Sequence, residues 1–174
     1  MVIGAAGAGK STLARAVGAV FDLPVIHGDA FYYDTSWVQK TPDETQALFD
    51  AAALGAAWVI DGNHGASMAA RAERADLIIY VEAGRWRRLW RTLRRSVVSY
   101  RRTRPDMPAG CRERIDPAFH FDWVWNFDRR SRPKMMWFLD QWETRRRIVR
   151  LTTPQDARRF IDDPRGWLAR AGAR

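Results

Sequence analysis

Residues 4–11, Gly-Ala-Ala-Gly-Ala-Gly-Lys-Ser, constrain the fold more than any other stretch of the chain. Gly4, Gly9, Lys10 and Ser11 fit the pattern G-x-x-x-x-G-K-S/T of a P-loop, and Gly7 adds a further glycine inside it. Glycines let the backbone curl until successive N–H groups point at one spot, and a helix starting at Lys10 adds the positive end of its dipole. Such a loop is suited to a polyphosphate, with Lys10 reaching the terminal phosphates and Ser11 ligating magnesium. The candidate nucleotide-binding residues are therefore Gly4, Ala5, Ala6, Gly7, Ala8, Gly9, Lys10, Ser11 and Thr12. The pattern demands a strand before it and a helix after it. The lead-in, Met1-Val2-Ile3, is short for a central strand.

Downstream, apolar runs alternate with helical segments. Val2-Ile3, 23–27, 57–61, 76–82 and 146–151 read as strands. The alternation predicts an α/β fold, with a five-stranded parallel sheet covered by helices on both faces. Thr41-Pro42-Asp43-Glu44 carries a cap, a proline at the first helical position and a glutamate at the third, so a helix is expected over 42 to 55. Asp116-Pro117, Thr153-Pro154 and Asp163-Pro164 mark three further helix starts. Trp86, Leu89, Trp90, Leu93, Val97 and Tyr100 recur at helical spacing among arginines, which predicts one amphipathic helix over 84–102 with this stripe facing the core. The aromatics at 119, 121, 123, 125 and 127 alternate as in a strand, yet Phe119, Trp123 and Phe127 also lie four apart below an Asp-Pro cap, which favours helix. Between these segments, residues 103–116 are rich in Pro, Gly and charge, as a mobile, arginine-rich lid would be.

With 174 residues, 47% hydrophobic and 28% charged, the chain suits a single folded domain over 1–174. No apolar run approaches the roughly 20 residues of a membrane span, and the start lacks the pattern of a secretory signal. A cytoplasmic location is expected. Cys111, the one cysteine, has no thiol neighbour for a disulfide or zinc site. The net charge of +9, almost wholly arginine, points to phosphorylated small molecules, nucleic acid or anionic lipid.

A magnesium ion beside a phosphate loop draws on a carboxylate at the end of a neighbouring strand. Asp61, closing 57–61, is that candidate, as a metal ligand directly or through water. The second predicted strand runs into His27-Gly28-Asp29, which places Asp29 at the carboxyl edge of the sheet, where ligands bind in open α/β folds. There it would take a proton from an attacking hydroxyl or orient the acceptor. Residues 28–55 form the expected acceptor side. Arginines neutralise charge on a transferring phosphoryl group. Arg101, Arg102 and Arg104 enter the lid and Arg129, Arg130 and Arg132 follow it, so Arg102, Arg104, Arg129, Arg130 and Arg132 join Lys10 and Asp29 as catalytic candidates.

The segments GAAGAGKST, HGDAFYY, WVIDGN, RAERAD, RTRPDMPAGCRE and WVWNFDRRSRPK together resemble the family of DNA topology modulation proteins, a group similar to adenylate kinases and other small P-loop kinases. The resemblance runs over about residues 1–162. It implies a nucleotide-kinase-like fold with ATP and Mg2+ as ligands and the usual roles for Lys10, Ser11 and Asp61. Adenylate kinases carry two arginines that clamp the phosphate of AMP, and at those positions this chain has Tyr32 and Gly65. Arg71 is the substitute for acceptor binding, together with Asp29 and Asp61. Exchanging arginine for a neutral residue at a bidentate phosphate site changes its chemistry, which makes a hydroxyl acceptor as suitable as AMP.

The leading expectation is an ATP-dependent kinase of a nucleoside, nucleotide or other small acceptor. The alternative is a nucleotide-gated DNA-binding protein, whose affinity would fall steeply with salt. A membrane partner is not expected, because a five-stranded core would need the apolar stripe of 84–102 for itself.

Overall fold

The structure, a computed structural model, describes residues 1–171. Strands β1 (Val2–Gly4), β2 (Val25–His27), β3 (Val59–Asp61), β4 (Leu77–Val81) and β5 (Arg147–Leu151) form one sheet in the order β2-β3-β1-β4-β5, with every pair parallel. The helices are α1 (Lys10–Phe21), α2 (Pro42–Ala53), α3 (Met68–Arg74), α4 (Arg85–Val98), α5 (Phe127–Arg130), α6 (Arg132–Trp142), α7 (Pro154–Asp162) and α8 (Pro164–Ala171). Successive strand residues point to opposite faces. Val2 and Ile3 are both fully buried, as is Ile78 with Ile79 at 1%, so the sheet is covered on both sides.

The first turns of α2 and α7 carry the expected capping boxes. The Thr41 hydroxyl accepts from the Glu44 N–H and Thr153 accepts from Asp156, each cap contributing about 1 kcal/mol. Leu13, Ala14 and Val17 seat α1 in the main core. Phe49 and Ala53 of α2 close a smaller apolar cluster over Ile60. Among the described residues no helix is long and apolar enough to cross a membrane.

In two elements the outcome departs from the periodicity. Helix α4 is amphipathic, but it is turned the other way: Arg88, Thr92 and Ser96 are each 1% exposed, while Trp86, Trp90 and Val97 lie open to solvent. The buried stripe is largely satisfied, with Arg88 Nε left without a partner. Arg88 donates to Ala83 O at 2.7 Å and to Asp128 Oδ2 at 2.9 Å, Thr92 donates to Arg88 O at 3.0 Å, and Ser96 donates to Glu113 Oε1 at 2.9 Å. These partners offset most of the cost of burying polar side chains. The second departure is Phe119–Trp125, a π-helix that directs His120 and Val124 inward and leaves Phe121 and Trp123 exposed. The wider turn of a π-helix breaks the four-residue register on which the aromatic stripe depended.

Candidate active site

The carboxyl ends of all five strands open on one side of the sheet, at the point where strand order reverses about β1, and this is where open α/β sheets hold ligands. A cleft of roughly 2290 Å³ lies there, lined by the loop 6–12 together with residues after β2, β3 and β4. The loop between β1 and α1 is held by its surroundings. Gly4 has φ +144°, and a β-carbon there would stand 2.1 Å from the Val81 carbonyl oxygen of β4. A β-carbon on Gly7, at φ +77°, would meet Arg88 O at 2.8 Å, so α4 presses directly on the loop. Asn63 clamps the start of the loop from β3: its Oδ1 accepts from Gly4 N at 3.0 Å and its Nδ2 donates to Gly4 O at 2.6 Å.

Gly9, left-handed at φ 113°, is the N-cap of α1 and provides no side-chain acceptor. The first backbone bond of the helix is Leu13 N to Gly9 O. The N–H groups of Lys10, Ser11 and Thr12 thus have no intrahelical acceptor, and the helix terminus faces the cleft with its dipole positive. The Lys10 ammonium lies across the loop and donates to Ala5 O at 3.2 Å. Donors and positive charge converge here as an anion requires.

After β2, the short 3-10 turn Gly28–Tyr32 brings Asp29 into the cleft, exposed and with no hydrogen bond or ion pair among the described residues. Burial, and then the negative charge of Asp29, push the Tyr32 hydroxyl up to about 12, which keeps it a neutral donor. Asp61 occupies a different setting from the one its spacing suggests. It is 2% exposed, does not line the cleft, and its Oδ2 lies 2.8 Å from His27 Nδ1. That hydrogen bond raises the His27 pKa against the opposing effect of burial.

Arg71, the residue expected to bind the acceptor, does not line the cleft. It is fully buried, donates to Gly62 O at 3.0 Å and to His64 O at 3.1 Å, and lies 4.7 Å from the centre of the Phe49 ring. Burial lowers its pKa to about 10. Its work is to fix the loop after β3, where a run of backbone carbonyls would otherwise lack donors.

The arginines divide as well. Arg104 and Arg130 line the cleft, whereas Arg102 and Arg129 are exposed away from it. Arg132 donates to Glu82 Oε1 at 2.7 Å beside a smaller pocket of 370 Å³. The expected lid is moored rather than free. Glu113, 6% exposed, pairs with Arg104 at 2.8 Å. The Cys111 thiol, 1% exposed, donates to Asp34 O and accepts from Trp37 N. The Cys111 contacts fasten this segment onto the turn that follows β2, and the Glu113–Arg104 pair braces it from within.

Arg87, Arg91 and Arg95 of α4 also line the cleft. Arg91 donates to Ala8 O at 3.3 Å, and burial and the nearby charges of Arg87 and Arg158 lower its pKa. The three recur at every fourth position, a spacing legible in the sequence beside the more conspicuous aromatic stripe. Asn63 directly follows Asp61-Gly62, and nothing in its local pattern marks it as the clamp on Gly4.

No protein-family profile matches the chain, and no curated protein matches it. Among solved structures it is similar to a protein of Chloroflexus aurantiacus provisionally assigned as a kinase, with 18% sequence identity and a TM-score of 0.51. The match covers 98% of this chain and 96% of that one. At that identity the likeness establishes the fold, an α/β kinase-like arrangement.

Proposed function

We propose that this chain is an ATP-dependent phosphotransferase that moves the γ-phosphoryl group of ATP to a small acceptor. The observation that carries the reading is the loop of residues 4–12. Its left-handed glycines, the open N–H groups of Lys10, Ser11 and Thr12, and the Lys10 ammonium meet at the edge of one cleft. The kinase assignment of the similar structure and the resemblance to small P-loop kinases agree with it.

In this reading, the open backbone N–H groups of Lys10, Ser11 and Thr12, with those of the preceding glycine-rich turn, would cradle the phosphates and Lys10 would neutralise the terminal ones. Magnesium takes few protein ligands and completes its shell with phosphate oxygens and water. The Ser11 hydroxyl at the cleft edge fits that role, and Asp61 would act behind it, through water. No group of three or more His, Cys, Asp or Glu among the described residues forms a metal cage, which is compatible with a cation held chiefly by substrate. Bound magnesium would offset charge on the phosphates.

An acceptor hydroxyl would attack the γ-phosphorus while the bond to the bridging β–γ oxygen breaks, releasing ADP. Asp29 would accept the hydroxyl proton. Arg91, Arg95, Arg104 and Arg130 would neutralise charge spread over the transferring group. Residues 103–116 then act as the lid and 28–55 as the acceptor side of a single domain. Measuring ATP consumption against nucleosides, nucleoside monophosphates and small hydroxylated compounds tests this. Turnover with one class that Lys10→Ala abolishes supports it, and turnover no better than that variant across all classes counts against it.

A further inference from the structure

The phosphotransfer reading leaves the outer face of α4 without a role. Trp86, Trp90, Val97 and Tyr100 are 72%, 66%, 62% and 54% exposed, and with half-buried Leu93 they follow the spacing of a single helical face. Trp86 is steadied edge-on against Trp125 of the π-helix, with ring centres 4.8 Å apart. Scattered exposed apolar side chains are ordinary, but a contiguous aromatic face marks an interaction surface.

The charge around this face selects the partner. Helix α4 contains six arginines and no acidic residue. Arg88 is spent on Asp128 and Arg91 turns toward the glycine loop and the cleft, while Arg87 and Arg94 stand exposed along the border of the aromatic face. A second copy docking symmetrically through this face would bring arginines against arginines. A nucleic acid could stack on Trp86, Trp90 and Tyr100 but gains nothing from Val97 and Val98, both 62% exposed, whereas an apolar phase takes up all five. An anionic bilayer satisfies both parts: tryptophan and valine settle at the boundary of headgroups and acyl chains, and arginines remain among the phosphates.

We infer that α4 is an interfacial docking helix whose outer face rests on an anionic lipid surface. The expectation against a membrane partner required the core to consume this stripe, and the core takes Arg88, Thr92 and Ser96 instead. Because Arg87 borders both the docking face and the cleft, the cleft opens beside the membrane. The inference stands apart from nucleotide binding and survives or fails separately.

The test is co-sedimentation of the full chain with vesicles of phosphatidylcholine alone and of phosphatidylcholine mixed with phosphatidylglycerol. Binding is expected to the mixed vesicles and to weaken about tenfold in Arg94→Glu, and at least as much in Trp90→Asp. Neither residue lines the cleft, and circular dichroism checks that both variants fold. Quenching of tryptophan emission by brominated phosphatidylglycerol reads the same contact in the unaltered protein. Equal partition to neutral and anionic vesicles, or no quenching, overturns the inference. So does self-association or DNA binding that Trp90→Asp abolishes while vesicles are ignored.

Discussion

The Ser96 hydroxyl donates a 2.9 Å hydrogen bond to Oε1 of Glu113, and both side chains are shut away from solvent. Through this contact the inner face of α4 holds the segment expected to close over the cleft. Arg104, 2.8 Å from the other carboxylate oxygen, completes the anchor. Removing a buried carboxylate strands its partners, so Glu113→Ala is expected to lower stability by about 3 kcal/mol in denaturant unfolding. Glu113→Gln, which can still accept from Ser96, is expected to cost less. Equal losses in the two variants would mean that charge plays no part in the mooring.

Gly4 joins the central strand to the glycine-rich loop under the Val81 carbonyl. Gly4→Ala would place a β-carbon 2.1 Å from that oxygen at a backbone angle that side chains rarely adopt. The expected loss is on the order of 3 kcal/mol, from overpacking and strain together. Gly65→Ala, with nothing within 4 Å of the added carbon, is the matched control and is expected to be nearly silent.

Much of this architecture was legible in local chemistry. Thr41 and Thr153 announce their helices because a cap, a proline and an acid within four residues satisfy the first turn unaided, and the strands announce themselves as short apolar runs between breakers. The orientation of α4 was not legible. A helical period reveals two faces but not which one is inward, and that choice rests on acceptors distant in the chain. Asp128 and Val124 receive Arg88 from 40 and 36 residues away. The same limit misplaced Arg71, whose carbonyl acceptors exist only once the loop after β3 has curled around it. Asp61 was correctly placed at a strand end, but its partner His27 lies on the neighbouring strand, in register with it.

The His27 and Asp61 pair carries a pH signature. Hydrogen bonding to Asp61 raises the folded-state pKa of His27, so its contribution to stability is fully present below the unfolded value of about 6.5 and is lost as pH rises through the raised folded value. The difference in Tm between the protein and His27→Gln is expected to be largest at mildly acidic pH and to shrink toward alkaline pH. A difference that grows with pH would contradict the pairing.

The Asp29 side chain is exposed and makes no hydrogen bond or ion pair among the described residues, so Asp29→Asn is expected to leave Tm unchanged. If it takes the proton of a hydroxyl acceptor, its loss should lower kcat about 100-fold to 10,000-fold while ATP affinity holds. A drop in ATP affinity with kcat preserved would move Asp29 from the acceptor side to the donor side.

Titration calorimetry with ATP and magnesium tests the central claim most directly, that backbone amides after β1 hold a nucleotide's phosphates. The account predicts saturable association by the unaltered chain, with Lys10→Ala binding weaker by at least about tenfold, as loss of a charge-assisted contact requires. No association in the unaltered chain, or equal affinity in the two proteins, would contradict it.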